Sequence, residues 1–199
     1  EADIRALSGG VTTDDIFDMV KKLREKTEIP LVFMTYLNPV FHYGYEAFFE
    51  RCQDVGIDGI IIPDLPFEEK EEVDVVASRY GIDLISMIAP TSKERIRKIA
   101  KGAKGFLYVV SSMGVTGERT NITTDIGGML KEIRSVSSVP AAVGFGIHTP
   151  DQAAEISKTA DGVIVGSAVV KLIEKYGSHA GGHLYTYVRM MKETVSHSE

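Results

Sequence analysis

Six short runs of almost unbroken apolar residues punctuate the chain: PLVFMTY (30–36), GIIIPD (59–64), DLISMIA (83–89), GFLYVVS (105–111), PAAVGF (140–145) and GVIVGS (162–167). A strand with one face in water alternates apolar and polar residues. These runs do not, so each predicts a strand covered on both faces. The longer stretches between them place apolar residues at helical spacing, as with Ile16, Met19, Val20 and Leu23 after a Thr12-Thr13 start. The opening T-P-D-Q at 149–152 offers an N-cap, a proline for the first helical position and a glutamine placed for a capping box. Buried strands that alternate with helices predict an α/β fold with a parallel sheet. Strand starts recur every 20 to 35 residues or so, near the roughly 30 per βα unit of a (β/α)8 TIM barrel.

A closed barrel needs eight strands and about 250 residues, whereas 199 residues here supply six. The shortfall falls at the front: EADIRAL (1–7) reads as the end of a helix, lacks an initiating Met and leads through SGG into the next helix. The expectation is therefore one barrel domain over 1–199, incomplete at its amino end, with strands 3 to 8 and their helices present. An open doubly wound sheet, for which six strands suffice, is the alternative.

Composition narrows the chemistry. With 44% hydrophobic and 25% charged residues, the chain is an ordinary soluble globular one. A formal net charge of -6, with basic residues scattered along helical faces, speaks against a nucleic-acid partner. The lone Cys52 cannot form an internal disulfide and fits a reducing compartment. No apolar run approaches the roughly 20 residues of a membrane span, so the expectation is a cytoplasmic protein without membrane contact. His179 and His183 are four apart, but the intervening AGG is expected to break helical geometry and no carboxylate completes a site, so no metal is expected.

Glycines carry the strongest local signal. Gly144 and Gly146 close the fifth run, and Gly166 with Ser167 closes the sixth and opens a helix at once. Barrels of this kind hold phosphate at the loops after their last two strands, where exposed N–H groups and a helix dipole converge. Either motif alone is explained by tight turns; together, on consecutive strands, they predict a phosphate site. SSMGVTGERTN (111–121) is longer and more flexible in composition than a βα connection needs, which predicts a lid.

Five collinear segments, YLNPVFHYG (36–44), IIIPDLPFEE (61–69), SSMGVTG (111–117), GFGIHTPDQ (144–152) and GSAVVKLIEK (166–175), resemble the α subunit of tryptophan synthase over essentially the whole chain. The resemblance implies a (β/α)8 barrel lyase that cleaves indole-3-glycerol phosphate to indole and glyceraldehyde 3-phosphate by retro-aldol chemistry. It implies no metal or organic cofactor in this chain. It also implies a partner in an α2β2 assembly, the β subunit, which carries pyridoxal phosphate and receives the indole. Carried over residue by residue, phosphate contacts fall on Gly117, Gly144, Gly146, Gly166 and Ser167. The indole pocket falls on Met34, Tyr36, Ile61, Met87, Tyr108, Phe145 and Ile164, with Thr116 closing from the lid.

The resemblance also exposes a gap. The family's acid and base are a glutamate on the second barrel strand and an aspartate on the loop after it, and both positions precede this sequence. The reaction needs a proton delivered to the indole ring and another removed from the glycerol hydroxyl, so paired carboxylates are required. Asp64 could be mistaken for one of them, but ordering the Asp64-Leu65-Pro66 turn is the role expected of it. His148 is expected at a helix start without catalytic duty, and EEKEE (68–72) as the solvated first turns of a helix. Two alternatives stay open: another phosphate-binding barrel enzyme, which would want a strand-end lysine or paired acids, and a non-catalytic phosphate- and partner-binding chain.

Overall fold

Local signals set the helix starts. Helix α1 (Ala2–Ser8) ends at a turn in which Gly10 has φ +81. Thr12 then accepts from the Asp15 N–H while the Asp15 carboxylate takes the Thr12 N–H, a capping box that opens α2 (Thr13–Arg24). The computed structural model describes residues 2–111, 125–144 and 146–196. The chain divides into two compact units, Glu1–Ser86 and Met87–Glu199.

In the first unit, β1 (Val32–Met34), α3 (Leu37–Tyr43), α4 (Tyr45–Val55), β2 (Gly59–Ile61) and α5 (Lys70–Arg79) follow α2, and β3 (Asp83–Ile88) begins there. β1 pairs β2 and β2 pairs β3, all parallel, with Met34 beside Ile61 and Ile61 beside Ile85. The core is aromatic at its centre: the Phe17 ring meets Phe33, Tyr43 and Phe48 edge-on at 5.5–5.7 Å between centroids, a favoured geometry for ring quadrupoles. Cys52 is fully buried among these groups, and burial pushes its thiol up to about 12, so it behaves as a packing atom. Arg24 fixes the end of α2, donating to the carbonyls of Gly56 (2.7 Å) and Ile29 (2.6 Å) and pairing with Asp58.

Two expectations change here. The apolar stripe of α2 is not the buried face as a whole: Phe17 and Val20 lie inside, while Ile16, Met19 and Leu23 are 38%, 52% and 41% exposed. The helix thus has apolar residues on more of its circumference than the first unit covers. Nor is the 68–72 run wholly solvated, because Lys70 Nζ reaches back 2.9 Å to the buried hydroxyl of Ser86 on β3.

The second unit contains α6 (Lys93–Lys101), β4 (Leu107–Val110), α7 (Ile126–Arg134), β5 (Ala141–Gly144), α8 (Pro150–Ser157), β6 (Gly162–Val163), α9 (Ser167–Tyr176) and α10 (Ala180–Ser196). β5 lies between β4 and β6, all parallel, with Tyr108 beside Ala142 and Val143 beside Val163. On one face Leu107, Val109, Ala141 and Val143 are all but fully buried. Glu132 of α7 pairs with Lys93 and Arg97 of α6, contacts that hold its carboxyl below the usual carboxylate range. The predicted T-P-D-Q capping box is present at the start of α8. The strands are shorter than the apolar runs, because the last residues of each run leave the sheet to build the loops. Past β6 the Ile164 N–H donates to the Val143 carbonyl at 2.8 Å.

Candidate phosphate and indole site

Alternation along the strands, combined with their register, puts Tyr108, Val110, Ala142, Gly144, Gly162 and Ile164 on one face of the β4–β5–β6 sheet. Three of these six are glycine or alanine, so the face is low except where Tyr108, Val110 and Ile164 project from it. Tyr108 is 6% exposed, and burial raises its phenol above the ordinary value, which keeps the hydroxyl protonated near neutrality.

The two glycines of the GFG motif have different reasons. A Cβ on Gly144 would lie 2.5 Å from the Tyr108 hydroxyl oxygen and 2.7 Å from its Cζ, so the space a side chain would need is filled by that ring. Close approach at Gly144 is therefore already explained within the protein. Gly146 instead has φ +80, a left-handed conformation that side chains resist. Replacing Gly144 by Ala forces the Tyr108 ring to move and is expected to destabilise the fold by about 1–3 kcal/mol, the usual range for overpacking. Denaturant unfolding measures this, and Tyr108→Leu in the same chain should recover part of the loss. A Gly144→Ala variant as stable as the parent would show that the ring has room to swing.

Gly166 behaves differently again. It is the N-cap of α9 at φ -116 and ψ -72, and no side chain caps this helix start. A Cβ there would meet nothing within 4 Å, so nothing in the described protein demands a glycine. Ser167 is the first helical residue, and the first intrahelical bond runs from the Val170 N–H to the Gly166 carbonyl at 3.1 Å. The amides of residues 167–169 precede that bond, with the positive end of the helix dipole behind them.

The loop after β5 is tightly bonded. His148 Nδ1 lies 2.8 Å from the Gly146 carbonyl, and the Gln152 carboxamide oxygen accepts from the N–H groups of both His148 (3.0 Å) and Thr149 (3.2 Å). The His148 carbonyl accepts from the Tyr187 hydroxyl of α10 at 3.0 Å. His148 thus has a structural task at the helix start, and Tyr187 carries no motif that could have marked it in the sequence.

In the first unit Met34 and Ile61 are register partners at the carboxyl ends of β1 and β2, bridged by the Thr35 N–H to the Ile61 carbonyl at 3.1 Å. Ile61 is 6% and Met34 53% exposed, and Tyr36, at the N-cap of α3, is 60% exposed. Met87 is part-buried near the end of β3. Thr116, Gly117, Phe145 and the proposed lid beyond Ser111 lie outside the described residues.

Asp64 needs a correction. Its carboxylate accepts from the Leu37 N–H at 2.9 Å, capping α3, whose own N-cap residue makes no side-chain bond. The turn that contains Asp64 is closed by a backbone bond, from the Leu65 N–H to the Ile62 carbonyl at 3.2 Å. The AGG segment is also not a helix breaker, since α10 begins at Ala180 and runs through both glycines. His183 is then free to stack on Tyr176 of α9, with ring centroids 3.6 Å apart. Among the described residues no group of three or more His, Cys, Asp or Glu side chains is placed to hold a metal ion, and no helix is long and apolar enough to cross a membrane.

Known proteins share this sequence and fold. The family profile described as Tryptophan synthase alpha chain matches residues 1–196. The tryptophan synthase alpha chain of Lacticaseibacillus casei is 48% identical over 194 residues, which are 98% of this chain and 73% of that one. That of Lactiplantibacillus plantarum is 49% identical over 195 residues, 98% and 74% of the two chains. Among solved structures, the tryptophan synthase complex from Pyrococcus furiosus matches with a TM-score of 0.87 at 31% identity, covering 96% of this chain and 77% of that one. The tryptophan synthase alpha chain from Legionella pneumophila subsp. pneumophila matches with a TM-score of 0.83 at 34% identity, covering 96% and 72%. The fold is α/β, its six parallel strands matching strands of the family's barrel. The chain belongs to the tryptophan synthase alpha chain family.

Proposed function

We propose that this chain supplies the phosphate- and indole-binding part of an alpha chain that cleaves indole-3-glycerol phosphate to indole and glyceraldehyde 3-phosphate. The family is a lyase family whose alpha chain uses no cofactor, pyridoxal phosphate residing in the β subunit. Gly166 carries the proposal: it is a glycine at an uncapped helix start where its missing side chain faces open space, which suits the close approach of an anion to backbone N–H groups. Gly146 and Ser167 are assigned to the same phosphate. Gly144 is assigned there too, as the residue whose missing side chain leaves room for the Tyr108 ring. Tyr108 and Ile164, raised on the same face, are assigned to the indole ring, as are Met34, Tyr36 and Ile61 in the first unit and Met87. Gly117, Thr116 and Phe145 complete the assignment. A β subunit is the proposed partner, in keeping with the α2β2 complex of the Pyrococcus furiosus relative.

The mechanism divides binding from proton transfer. This chain's residues hold the phosphate by neutral amides and a helix dipole, and hold indole by apolar contact, which orients the bond to be broken. Proton delivery to the indole ring and removal from the glycerol hydroxyl need two carboxylates that the assignment does not find here. Gly166→Val tests the phosphate assignment. A valine is expected to weaken glycerol 3-phosphate binding by about tenfold to 100-fold through steric exclusion, while stability falls by only about 1 kcal/mol, since a Cβ at Gly166 meets no atom within 4 Å and the main cost is a poorer N-cap. Calorimetric titration reads this directly, and parent-like affinity in the variant would move the phosphate elsewhere.

A further inference from the structure

We propose that Tyr187, on the carboxyl-terminal helix, is a positioning residue for phosphate binding: its hydroxyl holds the loop after β5 in the conformation that presents backbone to the anion. The inference rests on the phosphate assignment above and adds to it the element that sets the cradle's shape.

The bonds within the loop make a rigid knot. A trans peptide is planar with C=O and N–H pointing opposite ways, so fixing one edge of the plane fixes the other. The His148 ring on the Gly146 carbonyl therefore sets where the Ile147 N–H points. The His148 N–H is held by Gln152, and so is the Thr149 N–H. Tyr187 takes the remaining edge of that last plane, the His148 carbonyl, so the peptide between His148 and Thr149 is gripped from both sides.

Of these bonds only Tyr187's comes from outside residues 146–152, from a donor 39 positions away. The others link atoms that move together, so they would survive a swing of the whole knot; the Tyr187 bond would not. The helix that supplies it is also fixed to the other half of the cradle. α10 packs on both α8 and α9, and its His183 stacks at 3.6 Å on Tyr176, the last residue of the helix that Gly166 and Ser167 open. One helix thus braces the loop after β5 by a hydrogen bond and the helix after β6 by a ring stack. The separation of Gly146 from Gly166 depends on both contacts.

Tyr187→Phe removes the hydroxyl and keeps the packed ring. Glycerol 3-phosphate affinity, measured by calorimetry on this 199-residue chain, is expected to fall about fivefold, the factor that one neutral hydrogen bond is worth. Indole, which has no phosphate, should bind the variant as it binds the parent. Amide exchange at residues 146–149 should accelerate by a similar factor while β4 and β5 keep their protection. Tyr185→Phe, on the exposed side of the same helix, should change none of these. A purely packing role would lower the melting temperature without separating phosphate from indole. Equal glycerol 3-phosphate affinity and equal exchange in parent and Tyr187→Phe would overturn the inference while leaving the phosphate site intact. A parent chain that fails to bind glycerol 3-phosphate would remove the phosphate assignment itself, and this proposal with it.

Discussion

Assayed alone, the 199-residue chain is expected to release indole from indole-3-glycerol phosphate at least about 10,000-fold more slowly than a full-length alpha chain, since each general acid or base contributes about 100- to 10,000-fold. Within three residues past the carboxyl end of a strand, where barrel chemistry is done, Asp64 is the one carboxylate among the described residues. It is exposed and already engaged with the Leu37 N–H, and no second carboxylate stands beside it at the described strand ends to share the work of acid and base. Tyr108, buried and held protonated, could donate but not accept, which leaves the base unprovided. The curated relatives named above extend over about a quarter more of their own length than this chain covers, 73% and 74% being matched. A chromogenic indole assay on protein free of host enzyme gives the rate. Turnover within tenfold of a full-length chain would mean that Asp64 or Tyr108 has a catalytic role, and Asp64→Asn and Tyr108→Phe would then identify which.

Much of the fold was legible because it follows from short-range rules. Thr12 and Thr149 cap helices through side-chain geometry visible within four residues, and uninterrupted apolar runs require strands covered on both sides. Contacts between residues far apart were not legible. Nothing in the sequence ties Tyr187 to His148 or Lys70 to Ser86, because neither pair leaves a periodic trace. Gly144 is instructive. The sequence marks it as a place of close approach, which is right, but the approaching group is Tyr108 from the neighbouring strand, two residues off in register. Asp64 failed in a related way: a carboxylate beside a turn suggests local capping, whereas this one caps a helix 27 residues earlier. The α2 stripe reads as core by period alone, and period cannot say how much partner surface is present to cover it.

That uncovered surface is expected to make the isolated chain associate with itself at micromolar concentration. In the first unit Ile4, Leu7, Met19 and Met34 are 67%, 70%, 52% and 53% exposed. Ala6, Leu7, Val11, Ile16, Phe33 and Met34 line an open cavity of about 320 Å³ beside β1. Among the described residues β1 pairs only with β2, so its other edge offers unpaired backbone groups, the feature natural sheets protect with charge or cover. Scattered exposed apolar residues are ordinary, but a contiguous set around a cavity and a sheet edge is an association surface. A second copy is the occupant always present in a pure sample. Fully burying a Leu or Met side chain is worth about 1.5–3 kcal/mol, so four of them are comparable with the roughly 4–15 kcal/mol that association costs, and edge hydrogen bonds favour the pair. Sedimentation velocity across a dilution series should show a concentration-dependent shift from monomer. Leu7→Gln with Met34→Gln should weaken association at least about 100-fold, because each substitution removes a buried contact of 1.5 kcal/mol or more. A parent chain that stays monomeric throughout the series would show that this face is too irregular to pair with itself. Unchanged association in the double variant would instead place the contact on another surface, with the exposed Tyr185 and Val188 of α10 the next to replace.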